Sequence, residues 1–208
     1  MHNYKGRWSL VIHRLANHIT YIFVLHGESS EEDRDIYTYA IEAVLALLFN
    51  LAICLIIAFL FGRIFEGFVF ITAFAFLRRF TGGYHADSHY KCILTFSTLL
   101  TCKMLVVSFL VGLHTSIFIT LTIAIFAWIG IFIFAPIDDE NRAYEGDSKT
   151  RLKKKSVAVS TLLLLICVTT GFLLNTYIAM TLSLAMLSVF GCMLFAIIRR
   201  HSEQKLEK

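Results

Sequence analysis

Residues 115–135 read TSIFITLTIAIFAWIGIFIFA, a run of 21 residues without a charged side chain. A helix rises 1.5 Å per residue, so about 20 apolar residues cross the hydrocarbon core of a bilayer. This run is therefore long enough to span a membrane as one helix. Working outward, further apolar runs lie at about 38–61, 64–77, 93–113, 157–174 and 176–198.

The composition of the whole chain indicates the same environment. Hydrophobic residues make up 57% of the 208 residues, charged residues only 16%, and the mean hydropathy is +0.71. A soluble globule of this length cannot bury so much apolar surface. We therefore expect an all-α membrane protein with about six transmembrane helices, forming a single domain over residues 1–208.

The run at 64–77 is the weakest of the six spans. It is only about 14 residues long and contains Glu66, and a charged side chain within a bilayer is unfavourable. A short, tilted or re-entrant segment is the alternative to a plain span. We retain it as a span in the predicted topology.

The region before the first span, residues 1–36, differs in character from the bundle. Trp8 to Leu25 places apolar residues at helical spacing, interrupted by polar ones, and predicts an amphipathic helix lying in the membrane interface. A soluble helix packed on the inner loops is the alternative. Acidic residues at 28–35 predict a solvated connector. The helical bundle is expected over 37–198 and a basic tail over 199–208. No cleavable signal peptide is expected in residues 1–25.

The distribution of basic residues predicts the orientation. With both termini in the cytoplasm, 17 of the 19 lysines and arginines fall in inward-facing segments, leaving Arg63 outside and Lys103 within a span. The outer connections are then very short, near 62–63, 112–115 and 174–176. The long polar connections face the cytoplasm, which predicts a cytoplasmic working face.

One of those inner connections carries reactive side chains. Residues 78–92 read RRFTGGYHADSHYKC, and Cys92 is the single cysteine of five that lies outside the apolar cores. It is expected to begin a helix, where the backbone N–H groups, the helix dipole and Lys91 all favour the nucleophilic thiolate. Since the other four cysteines lie in apolar helices, no disulfide is expected.

An imidazole base is available in the same connection. His85 lies seven residues before Cys92, which on one straight helix would separate them by about 10.5 Å, too far for proton transfer. The chain must therefore fold back, and Gly82 and Gly83 supply the conformational freedom to do so. Two other interpretations stay open. One is a metal site built from His85, Asp87, His89 and Cys92; the other is an interfacial histidine and a cysteine that merely starts a helix.

The stretch RRFTGGYHA followed by Cys92, in a chain of about 200 residues with several spans, closely resembles the accessory gene regulator protein B (AgrB) family of bacterial quorum-sensing peptidases. The resemblance extends over nearly the whole chain, including the second inner loop at 135–142 and 151–156. Asn141-Arg142-Ala143 departs from the Asn-Lys-Pro that the family often has there, which bears on loop shape rather than on the reactive pair.

This resemblance implies a multi-pass cysteine endopeptidase of the bacterial cell membrane that matures an AgrD-like precursor peptide. His85 would be the general base and Cys92 the nucleophile. Cleavage through an acyl-thioester would release the acidic C-terminal tail of the precursor, and ring closure would give a thiolactone or lactone autoinducing peptide. Membrane lipids and a homodimeric copy are the other expected partners. No metal, cofactor or nucleic acid is expected.

Several further residues have candidate supporting roles. Asp87 is predicted either to orient His85 or to cap the next helix, and Arg78 and Arg79 either to contact substrate or to anchor the topology. A larger basic set is predicted either to bind the acidic tail of the precursor or to act only through orientation and anionic lipid: Arg142, Lys149, Arg151, Lys153, Lys154 and Lys155.

Lys103 requires a partner because an ionised amine inside a span is unfavourable, and Glu66 is the predicted one. An intramembrane lysine in a helix bundle also supports the alternative function, a peptide transporter or exporter without covalent catalysis. That alternative predicts an unmodified peptide as product.

Overall fold

The computed structural model describes residues 7–25, 33–82, 89–112, 117–137 and 147–206, without the side chains of 7–10, 89–92, 110–112 and 203–206. Across these ranges it contains seven α-helices and no β-strand, which confirms the all-α prediction. The helices are α1 Arg7–Leu25, α2 Arg34–Leu60, α3 Ile64–Thr81, α4 His89–Gly112, α5 Ile117–Phe134, α6 Asp147–Leu173 and α7 Thr176–Leu206.

Each predicted apolar run coincides with one of the helices α2 to α7. Judged on the described residues, four of them, α2, α5, α6 and α7, are long and apolar enough to cross a membrane. Among the residues of α4 whose side chains are described, Ile93–Phe109 form an apolar segment within a helix of 24 residues. The weak run at 64–77 becomes α3, which is 18 residues long but carries Glu66, Arg78 and Arg79. The membrane class is therefore confirmed, whereas the crossing by α3 stays a prediction.

Two helices extend well beyond their apolar runs. α6 begins at Asp147, ten residues before the predicted start at 157, and α7 continues to Leu206 past the predicted end at 198. The assignment of 151–156 to an inner loop was therefore wrong. Lysine, arginine and leucine are good helix formers, and an acidic first turn stabilises a helix start, so the helix continues outside the apolar stretch.

The described residues divide into two compact units, the first from the ranges 1–56 and 86–98, the second from 57–85 and 99–208. In the first unit, Ile12, Ala16 and Thr20 form a buried stripe on α1, and the hydroxyl of Thr20 contacts that of Thr38 on α2. The apolar side chains of Val11 and Leu15 on α1 remain exposed, as expected of a helix lying in a membrane interface. The interfacial position itself stays a prediction, as does the single domain over 1–208.

The second unit is organised around α7, which packs against α3, α5 and α6. Every residue of α7 from 179 to 186 is buried. Small residues allow close helix contacts in such a bundle. Gly130 of α5 shows this: a Cβ added there would lie 2.4 Å from the ring of Phe190 on α7.

Candidate functional site

The connection that carries the reactive residues starts at the C-terminus of α3. The helix ends at Thr81, and the backbone N–H of Gly82 donates to the carbonyl of Arg78 at 3.3 Å. Gly82 has φ +67°, in the left-handed region that favours glycine. Arg78 and Arg79 occupy the last turn, where cations interact favourably with the helix dipole. The guanidinium of Arg78 lies 5.6 Å from the ring centroid of Phe74.

Two other parts of the second unit bind the end of α3. The N–H of Ile137 donates to the carbonyl of Thr81 at 3.0 Å, so Gly82 and Ile137 form an isolated parallel bridge. The hydroxyl of Ser156 on α6 donates to the carbonyl of Phe80 at 2.7 Å. Thr81 and Ser156 are completely buried. The stem of the reactive connection is therefore held by both the 135–137 segment and α6.

Cys92 lies in the first turn of α4, which begins at His89. This confirms the prediction that it starts a helix, the position in which unpaired N–H groups favour a thiolate. The other four cysteines lie within helices and are all free: Cys54 and Cys167 are buried, Cys192 is half-buried, and Cys102 is exposed on the surface of α4.

The remaining predicted members of the connection, Gly83, His85 and Asp87, lie outside the described residues. The pairing of His85 with Cys92 and the role of Asp87 therefore stay predictions. No group of three or more potential metal ligands occurs among the described side chains. The alternative metal site includes His85 and Asp87, so it too lies outside the described residues.

An open groove of about 850 Å³ lies between the end of α5 and the start of α6. Its polar wall includes Lys149, Lys153 and Lys154, and its apolar wall includes Phe134, Pro136 and Val157. We call this the basic groove. Because Ala135 and Pro136 line it and Ile137 binds the end of α3, the groove adjoins the stem of the reactive connection.

Only some of the predicted substrate-binding residues meet in the basic groove. Lys149, Lys153 and Lys154 line it, whereas Arg151 and Lys155 are exposed and are not among its lining residues. A helix turns 100° per residue, so positions 151 and 155 face away from 149 and 153. Arg142 lies outside the described residues. The sequence did not indicate the apolar wall, to which α5 contributes Phe134 and α6 contributes Val157.

Lys103 contacts Glu66 as predicted, although through the main chain. Its Nζ lies 3.3 Å from the backbone carbonyl oxygen of Glu66 and 5.8 Å from the ring centroid of Phe70, with only 3% of Lys103 exposed. The Glu66 carboxylate instead accepts from Arg63 at 3.3 Å. The buried amine of Lys103 is therefore held by contacts within the helix bundle.

Comparison with known proteins identifies the family. The family model described as Accessory gene regulator B matches residues 14–201. A protein of Clostridium perfringens (strain SM101 / Type A) named "Putative AgrB-like protein" is 30% identical over 140 residues. A second, from Clostridium perfringens (strain 13 / Type A), is named "Putative AgrB-like protein 2" and is 28% identical over 140 residues.

Both matches cover 65% of this chain and 65% of the relative's own length. No solved structure matches the chain significantly. The family model, by contrast, extends from within α1 into the last turns of α7 and includes both the reactive connection and the basic groove. The chain belongs to the Accessory gene regulator B family.

Proposed function

We propose that this protein is a membrane-embedded cysteine endopeptidase that processes a small quorum-sensing precursor peptide. The observation that carries the proposal is Cys92 in the first turn of α4, in a chain of the Accessory gene regulator B family. A thiol at a helix N-terminus is suited to nucleophilic attack because the local field favours its ionised form. Family membership supports the role in precursor processing.

In the proposed reaction, the Cys92 thiolate attacks the carbonyl carbon at the cleavage point of the precursor. The C–N bond of that peptide breaks, a protonated His85 gives its proton to the departing amine of the tail, and an acyl-thioester remains on Cys92. A cysteine or serine side chain of the precursor then attacks the thioester, with His85 taking its proton. The product is a thiolactone or lactone, and Cys92 is regenerated.

Ring closure instead of hydrolysis requires the thioester to be shielded from water. A reaction at the membrane surface excludes water, and an acyl chain held close to its internal nucleophile has a high effective molarity. Asp87 would orient His85 in this scheme, and Arg78 and Arg79 would polarise the scissile carbonyl or hold a substrate carboxylate.

The basic groove is the proposed binding place for the acidic tail of the precursor. A lining that combines three lysines with apolar residues suits a segment that combines carboxylates with apolar side chains. The groove adjoins the stem of the reactive connection through residues 135–137. A tail bound there would bring the cleavage point towards that connection.

The test is tail release from a co-expressed precursor by Cys92→Ala and His85→Ala, with Cys102→Ala as a matched control. Cys102 lies on the same helix and is exposed, so its loss is expected to leave release unchanged. Mass spectrometry should detect a peptide attached to Cys92 as a thioester. Unchanged release in Cys92→Ala would exclude the proposed mechanism, and an unmodified full-length precursor as the sole product would favour the transporter alternative.

A further inference from the structure

The last turn of an α-helix leaves four backbone carbonyls without partners inside the helix. At the end of α3, three of these have partners. The carbonyl of Arg78 accepts from Gly82, that of Phe80 from the hydroxyl of Ser156, and that of Thr81 from the N–H of Ile137. Two of the three donors come from distant parts of the chain. This helix end is therefore held by tertiary contacts.

Ser156 donates through its side chain, so a substitution can remove this hydrogen bond, whereas Gly82 and Ile137 donate through the backbone. It is completely buried, and its hydroxyl lies 2.7 Å from the Phe80 carbonyl and 2.9 Å from that of Leu152 in its own helix. Removing the hydroxyl would leave the partly buried Phe80 carbonyl of α3 without its donor from α6. Losing such a partner is unfavourable, so the end of α3 is expected to shift.

Gly82 is the second residue on which the arrangement depends. A Cβ added at Gly82 would lie 2.3 Å from the carbonyl oxygen of Ile137, closer than two non-bonded heavy atoms can approach. The φ of +67° is also unfavourable for any other residue. Glycine is thus required here by both its backbone conformation and the close approach of the 135–137 segment.

We propose that Ser156 and Gly82 are positioning residues that hold the end of α3 for catalysis. His85 follows Gly82 by three residues, about 10 Å of extended chain, so the position of this stem limits where the imidazole can reach. A displacement of about 1 Å in a reacting group can lower the rate about 100-fold. The proposal rests on the proposed function, because it assigns these residues to the same reaction.

The chain offers a matched control for each residue. Ser160 lies on α6 one turn from Ser156 and is also completely buried, but its hydroxyl donates only within its own helix, to Val157 at 3.0 Å. Gly62 has φ +64°, close to that of Gly82, yet a Cβ added there would meet nothing within 4 Å. Ser160→Ala therefore repeats the loss of a buried hydroxyl without the hydrogen bond to α3, and Gly62→Ala repeats the added Cβ at positive φ without the close approach to Ile137.

The experiment compares Ser156→Ala with Ser160→Ala and Gly82→Ala with Gly62→Ala in the full-length protein, using a synthetic precursor in liposomes. Tail release gives kcat and KM, and thermal unfolding gives stability. Ser156→Ala and Gly82→Ala are expected to lower kcat at least about tenfold with KM within about twofold. The two controls should keep the wild-type kcat. Equal kcat losses within each pair, or a wild-type kcat in Ser156→Ala or in Gly82→Ala, would overturn the proposal.

A measurement without catalysis separates this proposal from the proposed function. Hydrogen exchange at the Ile137 amide, which donates to Thr81, should accelerate in Ser156→Ala and not in Ser160→Ala. If Cys92→Ala still releases the tail, the proposed mechanism fails whatever the exchange shows. If Cys92→Ala is inactive but Ser156→Ala leaves both exchange and kcat unchanged, only the positioning role fails.

Discussion

Gly82 has both a conformational and a steric role at the end of α3. The sequence predicts that Gly82 gives the chain freedom to turn before His85. The structure adds a close approach to the Ile137 carbonyl, so Gly82 is constrained by a contact as well as permissive in φ. The contact joins residues that are far apart in sequence, and local pattern carries no signal for it.

Lys103 is a buried charged residue within α4. A mid-span lysine indicates a transport pathway or a structural pair equally well. Here its amine lies against the Glu66 backbone and the Met104 sulfur, 3.3 and 3.5 Å away, which favours the structural interpretation.

Lys103→Met is therefore expected to keep tail release within about twofold of wild type and to leave thermal stability unchanged or higher. The substitution removes the desolvation cost of a buried amine, and the Glu66 carboxylate keeps its contact with Arg63. Tail-release assays and thermal unfolding in detergent check this. Glu66→Ala is the contrast, because it removes the carboxylate that Arg63 contacts, and it should lower stability by about 1 kcal/mol. Loss of release in a stable Lys103→Met protein would contradict a purely structural lysine.

Between elements, α1 and α2 are joined by a chain of polar contacts that the amphipathic pattern did not predict. Asn17 donates from Nδ2 to Nε2 of His13 at 2.8 Å, and Nδ1 of His13 contacts the carboxylate of Glu42. The hydroxyl of Thr38 lies 3.1 Å from that of Thr20. With Nε2 accepting, Nδ1 carries the proton and donates it to Glu42. The chain fixes how α1 docks on α2.

Glu42→Ala is expected to loosen α1 because it removes the carboxylate of α2 that contacts His13. A hydrogen bond to a charged group contributes about 2 kcal/mol, and Glu42→Gln, which keeps an acceptor, should lose less. Hydrogen exchange over α1 residues 13–20 measures the effect. Asp35→Asn is the control, since it removes an exposed carboxylate from the same helix. Equal exchange in the Glu42→Ala and Asp35→Asn proteins would show that the polar chain does not hold α1.

The extension of α6 beyond its apolar run also has a functional consequence. Because the basic stretch is helical, its charges divide between faces, and only Lys149, Lys153 and Lys154 line the basic groove. In an irregular loop, the directions of these basic side chains would not follow from their spacing in the sequence.

The pair Lys153→Gln with Lys154→Gln should raise KM for a precursor with its acidic tail about fivefold at low salt, with less effect at high salt. Two exposed charge contacts contribute about 1 kcal/mol together, and salt screens them. Arg151→Gln with Lys155→Gln removes the same charge from the same helix outside the groove. Comparing KM between the two double variants distinguishes binding in the basic groove from a general electrostatic attraction. An equal rise in both doubles would favour nonspecific attraction to lipid or peptide.

For the whole molecule, the contacts place the end of α3, the segment 135–137 and the start of α6 together in the second unit. The predicted topology puts this end on the cytoplasmic side. The short connection at 174–175 between α6 and α7 then faces outward.

Cysteine labelling tests this orientation. Ser148 and Leu174 are exposed near opposite ends of α6, with Leu174 78% exposed. A membrane-impermeant maleimide should label Leu174→Cys in intact cells and Ser148→Cys only after permeabilisation, relative to the parent protein. The reverse pattern would place the reactive connection outside the cell and exclude cytoplasmic processing.

The sequence by itself determined the membrane class, the apolar part of each helix in the bundle and a helix start close to Cys92, because hydrophobicity and helix signals are local properties of the chain. It also identified the glycines, the buried lysine and the basic run. It did not determine the extensions of α6 and α7 beyond their apolar runs. Only the tertiary structure decided which of these act together: the anchoring of α3 by Ser156 and Ile137, the meeting of three lysines with Phe134 and Pro136 in the basic groove, and the polar chain joining α1 to α2. Each depends on contacts between residues distant in sequence, for which composition and periodicity contain no information.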